Sequence, residues 1–471
     1  MGYVATDLDI EVARQPYREL FLKINVLDLS MRIVDEISGM CIGGNISIDA
    51  NSDIRRTCRI EMVINDYSLN ISSGSDIWLD KYIQLYVGVK HIVTQEIVWY
   101  NCGMYLINKP NIEYSADRYI LSFEGVDLMS KLTGLRNGML EAITTKIEAG
   151  ENMRNVLVSV ITQLGGFQKY TIDCEDKEIP YDITIDVGGT VYDLLSQIRD
   201  IYPNYEMFFD VDGVFVFQEI PDGYDDEISV ENKLLKELVI SESVEINFED
   251  VKNKVAVLGK SLDPDEYGGD ATVSSGAYNI TLEGKQSIAT NEMIGFTINQ
   301  IVSNPKLKIS NGTTTLITGD IVNEDGTAAV FPENNEYYVV KKQINDTFLY
   351  MGRQQPMHTS IDDNEDSPFC TSKIGEIYLV LYGGEFDNIT TDDLCRQRAD
   401  YELWKRTRLN DCLNIEIVPL YWMDVNTKIA YEDINSGRVN QYIIKSIDID
   451  LNVGGTQQVN AIKFYPLYPE F

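Results

Sequence analysis

General acid–base chemistry at neutral pH draws most often on histidine, and this chain of 471 residues has only two, His91 and His358. His91 falls in a strand-like run from Val87 to Val93, and His358 in a polar stretch after Pro356. Neither belongs to an H-E-x-x-H pattern, and no G-x-S-x-G nucleophile turn occurs. Each is read as an ordinary structural or surface residue. Phosphate loops fail on the same inspection. Gly284-Lys285 and Gly259-Lys260 supply the closing dipeptide, but the glycine needed earlier is replaced by Asn279 and Lys254. No G-x-G-x-x-G is present. The seven cysteines, Cys41, Cys58, Cys102, Cys174, Cys370, Cys395 and Cys412, form no C-x-x-C pair, so reduced and mostly buried thiols are expected. The acidic run Ser360–Ser367 lacks the ligand spacing of a calcium loop and reads as solvated. Paired carboxylates for glycoside hydrolysis carry no information here, because 74 acidic residues supply candidate pairs everywhere. The expectation is no catalytic residue, no cofactor and no metal.

Those 74 Asp and Glu stand against 39 Lys and Arg, a net charge of −35. Acidic disordered chains lack aromatics and β-branched residues, whereas 28 Tyr, 15 Phe and 4 Trp here are enough to build cores. The acidity therefore belongs to a folded surface. Such a surface repels phosphates, since nucleic-acid affinity comes from basic patches that release counterions. Tight nucleic-acid binding is not expected. Asp7, Asp9 and Glu11 stand where a secretory signal needs a basic start and an apolar run. No apolar stretch reaches the roughly 20 residues that span a bilayer, so synthesis and folding in a cytoplasm without membrane insertion are expected. The abundance of Tyr suits binding surfaces and half-buried strands equally.

The elements that would hold such a surface are mostly strands. Leu20, Leu22, Ile24 and Val26 alternate with polar or smaller neighbours, as do Ile60, Met62 and Ile64, and Tyr119, Leu121 and Phe123. With Gly43-Gly44, Asn51-Ser52 and Ser72-Ser73-Gly74 as turn material, residues 1–145 read as a β-barrel-like domain. The period then changes. Met153, Val156, Leu157, Val160, Ile161 and Leu164 make one helical stripe that stops at Gly165-Gly166. A second helix opens at Thr190, capped with Asp193, buries Val191, Leu194, Leu195, Ile198 and Tyr202, and ends at Pro203. Met207–Val211 and Val214–Gln218 flank Asp212-Gly213 as a hairpin, so residues 146–225 form a small α/β module.

After an acidic boundary at Asp222–Glu227, a strand at Val251–Leu258 and a loop at Lys260–Gly276 lead into short strands broken by Asn311-Gly312 and Asp325-Gly326. This second β-rich region covers 226–375. In the last segment, 376–471, Thr390 and Asp393 predict a capping box. Cys395, Ala399 and Leu403 predict a narrow buried face, with Glu402 and Arg406 pairing outside it, and Lys405, Arg406 and Arg408 close the helix. A final strand at Gln441–Leu451, with Ile443, Ile447, Ile449 and Leu451 on one face, completes a second barrel. The fold class is β-rich α+β: two β-barrel-like domains, a small α/β module and a further β region.

The order of these segments resembles bacteriophage tail hub proteins, the central tail-tip or baseplate-hub component. The resemblance is carried by Gly44–Met62 with Ser52, Asp53, Arg55, Arg56 and Thr57, by Cys102–Leu106 and Glu124–Leu128, by the helix and hairpin from Thr190 to Phe217, by Asn253–Val257 with Gly259, and by the helix from Asp392 to Arg408 with the final strand. It implies a homotrimer whose paired barrel-like domains form a pseudo-sixfold ring, joining the hexameric tail tube or distal tail protein to a spike or tip, with the tape measure protein as neighbour. Its place is the virion tail, assembled in the host cytoplasm. The resemblance carries over no catalytic residue. With the chain ending at Phe471 and no appended peptidase or lysozyme domain, cell-wall digestion is not expected. An acidic bore would let a passing DNA chain slide without sticking.

Arg55 and Arg56 are the candidate pairing residues. One reading has them bridge subunits through carboxylates; the other, favoured, pairs them with a neighbouring strand within one subunit. Two other classes of function remain open on sequence. A carbohydrate-active enzyme or adhesin would show a concave aromatic cleft with two facing carboxylates, and a secretion-system hub would differ only in its gene neighbours.

Overall fold

The computed structural model describes residues 3–66, 68–115, 118–140, 145–179, 183–201, 205–220, 227–323, 325–407, 410–432, 434, 437–452 and 454–463. Residues Tyr202, Pro203, Arg408 and Phe471 and the boundary at 222–226 lie outside them. The chain divides into two compact units, one comprising 1–247 and 410–467, the other centred on 248–409.

The first unit begins with a short helix, α1 (Asp7–Ala13), and six strands: β1 (Leu20–Leu27), β2 (Ile33–Asp49), β3 (Arg56–Ile64), β4 (Tyr82–Lys90), β5 (Ile97–Ser115) and β6 (Arg118–Asp127). They follow one another in the order β1-β4-β5-β6-β3-β2, and β2 returns to β1, closing a barrel without a free edge. Leu22, Ile24 and Val26 face its core with Ile60, Met62, Leu121 and Phe123, as the alternation predicts. Gly43 and Gly44 differ from expectation. They lie inside β2 at a bulge, where Cys41 pairs Met62 and Gly43 pairs Glu61. Gly44 has φ 128°, and a Cβ there would stand 2.1 Å from the Arg59 carbonyl oxygen. Glycine marks a strand irregularity in this place, which the sequence cannot distinguish from a turn.

The next stretch holds β7 (Thr145–Ile147), α2 (Met153–Ser159), β8 (Tyr170–Ile172), β9 (Ile183–Ile185), α3 (Val191–Ile201), β10 (Tyr205–Phe209) and β11 (Phe215–Glu219). The stripe from Met153 ends in a π-helical turn, Val160–Leu164, that rotates Leu164 to 48% exposure. Ahead of α3, Thr190 Oγ1 accepts from Asp193 N at 3.1 Å, and Asp193 Oδ2 accepts from Thr190 N at 2.8 Å. The β10–β11 strands end earlier than the pattern suggests, at Phe209 paired with Phe215, so the connection runs over Asp210–Val214. Leu27, Tyr82, Met104 and Leu106, on the outside of the barrel, share one core with Leu157, Leu195, Phe209 and Phe217 of this module. Gly213, at φ 72°, lies where a Cβ would come within 2.7 Å of the Met104 sulfur.

After β12 (Ile228–Val230), α4 (Asn232–Leu238) and β13 (Val239–Asn247) the chain enters the second unit. Strand β14 (Lys254–Leu258) opens it. Then come β15 (Glu266–Asp270), β16 (Thr272–Ser274), β17 (Ala277–Thr281), β18 (Met293–Thr297), β19 (Lys306–Ser310), β20 (Thr315–Val322), β21 (Tyr337–Lys342) and β22 (Phe348–Arg353). These eight form a sheet of their own, and β23 (Met357–Ile361) then returns beside β14. Lys260–Gly276, expected to be a loop, thus carries β15 and β16; its Gly- and Asp-rich composition hides two short strands. Helix α5 (Thr371–Ile374) precedes β24 (Tyr378–Leu381), and α6 (Asp392–Arg406) packs Cys395 and Ala399 on Val257. Its N-cap is Thr391, not Thr390: the Thr391 hydroxyl accepts from Leu394 N at 3.2 Å. Glu402 is 3% exposed and pairs with Arg398 and Arg406, so that contact lies beneath the surface and not outside it.

The chain ends back in the first unit with β25 (Asn410–Ile417), β26 (Lys428–Glu432), β27 (Val439–Asp450) and β28 (Gln457–Lys463). These pair with one another, with β12 and β13, and, through β27, with β2. A bulge between Ile444 and Ser446 shifts the phase of β27, so Tyr442 and Ile444 point to the core ahead of it and Ile447, Ile449 and Leu451 beyond it. Ile443, expected on that face, is not part of that core. The architecture is β-rich α+β.

Candidate functional site

Arg55 and Arg56 stand at the opening of β3, where the strand leaves an exposed turn and enters the barrel wall. Both are buried, at 5% and 1% exposure. A buried guanidinium is tolerated only with carboxylates and carbonyls to take its donors. Arg55 Nη2 donates to Glu206 Oε2 at 2.5 Å, and its guanidinium lies 3.8 Å from the Phe208 ring centroid. Glu206 is itself shared. Its Oε1 accepts from Gln218 Nε2 at 2.8 Å and its Oε2 from Asn426 Nδ2 at 2.5 Å, while Asn426 Oδ1 accepts from Lys445 Nζ at 2.9 Å.

Arg56 Nη1 donates to the Phe209 carbonyl at 2.7 Å and Nη2 to Asp424 Oδ2 at 2.5 Å. Its backbone N–H donates to Asp127 Oδ2 at 2.9 Å, and the other oxygen of Asp127 accepts from Met129 N at 2.9 Å. Burial opposes the charge on Arg56, but Asp424, with Tyr105, Asp127 and Asp210, holds its pKa above the ordinary value. Burial pushes Asp127 up to about 6, with the two backbone donors and the arginines pulling the other way. Beside this cluster Asp212 Oδ1 accepts from Asn101 Nδ2 at 2.9 Å and Gln84 Nε2 at 3.2 Å, tying the β10–β11 hairpin to the barrel.

The Arg56 backbone N–H is thus met by Asp127 at the end of β6, the strand beside β3, whereas the guanidinium partners of both arginines lie elsewhere in the same chain. They come from β10 and from the segment before β26, which is why spacing near Arg55 could not reveal them. A weak signal exists: Glu206 interrupts the otherwise apolar Tyr205–Phe209, and Asp424 follows the apolar run Tyr421-Trp422-Met423. A carboxylate in such company needs a cation once buried. The arrangement offers charge-assisted hydrogen bonds and rigidity, and it joins three segments far apart in sequence.

The other residues weighed for chemistry sit apart. His91 Nδ1 accepts from Thr94 N at 3.1 Å, with Nε2 3.8 Å from Glu11. His358 lies on β23, its pKa lowered by burial. Lys285 is held between Glu266 and Glu292. Asp362 Oδ2 accepts from Ser367 Oγ at 2.5 Å. Cys41, Cys58, Cys102, Cys174, Cys370 and Cys395 are buried free thiols, and among the described residues no His, Cys, Asp and Glu group is arranged to hold a metal ion.

This backbone arrangement has known counterparts. The 43 kDa tail protein of prophage MuSo2 from Shewanella oneidensis matches with a TM-score of 0.50 over 94% of this chain and 98% of its own, at 12% identity. The fold is shared with a phage tail protein. A tail protein of Neisseria meningitidis MC58 superposes more loosely, with TM-score 0.48, 10% identity, and 94% and 96% of the two chains covered. Prophage tail protein gp18 of Listeria monocytogenes EGD-e gives 0.44, 8% identity, and 94% of each chain. Residues 366–468 match the family described as Domain of unknown function (DUF5048). No curated protein matches.

Proposed function

We propose that this chain is a structural, non-enzymatic hub subunit of a bacteriophage tail. Three copies form a ring that joins the hexameric tail tube, or a distal tail protein, to the spike or tip, with the tape measure protein beside it, and the bore of the ring passes the DNA. The observation that carries this reading is a tail-protein fold shared along nearly the whole of both chains. Two strand groups in the first unit, the closed barrel and the β12, β13 and β25–β28 group, suit a threefold assembly that must present six positions to a sixfold tube. We assign the ring to residues 1–145 together with the strands of 226–375 and 376–471 that make the second group, and the buttressing of the barrel to 146–225. The charge of −35 supports the channel role, since a phosphodiester chain gains nothing by adhering to carboxylates.

Arg55 and Arg56 act in this reading as internal braces of each subunit. The test is electron microscopy of the chain assembled with its tail tube protein, together with native mass measurement. A threefold ring with carboxylates facing its bore is expected. A complex whose stoichiometry excludes threefold symmetry, or sugar release from host wall by the isolated chain, overturns the proposal.

A further inference from the structure

In the second unit, β14 pairs antiparallel with β23 and parallel with β24, and the register sets their side chains in rows across a three-stranded sheet. Val255 and Val257 point to one face, and Val257 meets Cys395 and Ala399 of α6 there. On the opposite face, Ile361, Lys254 and Tyr378 form one row and Thr359, Ala256 and Val380 the next, while Met357 and Leu258 follow, with Tyr382 just past the end of β24. Ile361 is 43% exposed, Tyr378 51%, Val380 38% and Tyr382 72%, so this face, apolar apart from Lys254 and Thr359, is open to water at Ile361 and along β24. Small Ala256 at its centre is 1% exposed, closed in by its taller neighbours. A sheet within a domain normally packs both faces, and here a helix covers only the α6 side.

We propose that this face docks a single amphipathic helix, carrying basic residues at one end, from a separate partner protein. The inference does not rest on the tail reading. Three strands about 4.8 Å apart and five residues long give a patch on the order of 250 Å². That is far below the ~800 Å² per partner of a stable protein pair, so a second copy of this chain would find too little surface here, whereas a helix about 10 Å wide fits. The opposite face already accepts one helix, α6, in this way. The charge at the rim chooses the partner's polarity. At the Ile361–Tyr378 end lie exposed Asp363, Glu365, Asp366 and Glu376. Lys254 is already engaged there, 3.0 Å from Glu376 and over the Tyr378 ring. A basic helix end meets that acidic surplus.

The experiment uses the full chain and a labelled 15-residue synthetic peptide with a leucine stripe on one helical face and lysines at one end. Controls are a peptide of the same composition with the stripe scrambled and one with glutamates for the lysines. The stripe peptide should bind at least about tenfold more tightly than either control, and Val380→Glu and Tyr382→Ser should each weaken it by about tenfold or more with unchanged melting temperature. Equal binding of the scrambled peptide, insensitivity to both substitutions, or no binding up to millimolar concentration overturns the proposal. So does self-association of the chain that Tyr382→Ser abolishes, which would make a second copy the occupant.

Discussion

The interior around Arg56 and the interior of the eight-stranded sheet solve the same problem with opposite materials. Around Arg56, guanidinium, carboxylate and amide groups are gathered and joined by short directional bonds, with Arg56 Nε left buried without a partner. In the sheet, Tyr278, Tyr338 and Tyr350 meet Phe331 edge to face at 4.9 to 5.2 Å and Phe296 lies tilted to it at 6.4 Å, with the tyrosine hydroxyls led outward to Gln300, Glu333 and Asp392. The sheet is built from one continuous stretch, so any compact burial brings its strands together. The arginine cluster joins β3 to segments 151 and 368 residues away, where apolar contact alone would accept many alignments. Directional, charged bonds accept one. We attribute the difference to that need for a unique register.

If this is right, the two interiors fail differently. Glu206→Ala leaves Arg55 buried without its carboxylate and should cost about 3–5 kcal/mol in urea unfolding, while the double variant Arg55→Met/Glu206→Met should recover most of it. A cost below about 1 kcal/mol for the single variant would remove the buried pair from the account. Phe331→Ala should cost about 3 kcal/mol by opening a cavity among its ring neighbours. Hydrogen exchange should locate its loosening in β15–β22, and the loosening from Glu206→Ala in β3, β10 and the segment around Asp424. Loss of protection in both regions from either substitution would show that the interiors are not separately held.

The contrast sharpens with pH. Asp127 titrates near 6 in the folded chain against a usual value of 3.8, so the native state holds this proton more tightly than the unfolded state does. Its contribution is complete below about pH 4 and is lost as pH rises through 6. At about 1.4 kcal/mol per pH unit the loss is at most about 3 kcal/mol. Asp127→Asn, which cannot ionise, should therefore show a smaller fall in stability than the parent between pH 4 and 6.5, measured by urea unfolding at each pH. Identical slopes would mean that hydrogen bonds from Arg56 N and Met129 N keep Asp127 ionised throughout.

The same contrast governs what could be read in advance. Elements whose signal is local were legible: the alternation in β1, β3 and β6, the Thr190–Asp193 cap, and the buried Cys395–Ala399 face. What escaped was non-local or depended on a single backbone irregularity. Gly44 reads as a turn until Arg59 is seen across the bulge, and Ile443 reads as core until the bulge before Ser446 changes the phase. Glu402 reads as surface until Arg398 joins Arg406 around it. For the candidate site, the arginines stood out by type and position, but Glu206 and Asp424 are brought to them only by the finished fold.

The smallest effect is expected where the chain uses the same chemistry in water. Arg14 and Glu237 form a pair at 2.6 Å that links the segment after α1 to α4 across 223 residues, a longer connection than the 151 of Arg55–Glu206. Their side chains are 46% and 39% exposed. Solvent screens the attraction, and holding two long side chains in one geometry costs entropy, so Arg14→Ala should change stability by less than about 1 kcal/mol, and by less still at 1 M salt. Sequence separation is thus larger for this pair, 223 residues against 151 for Arg55–Glu206, while its burial is far lower. Should Arg14→Ala and Glu206→Ala prove equally costly, the linking of distant segments, and not the desolvation of charge, would be what makes these bonds strong.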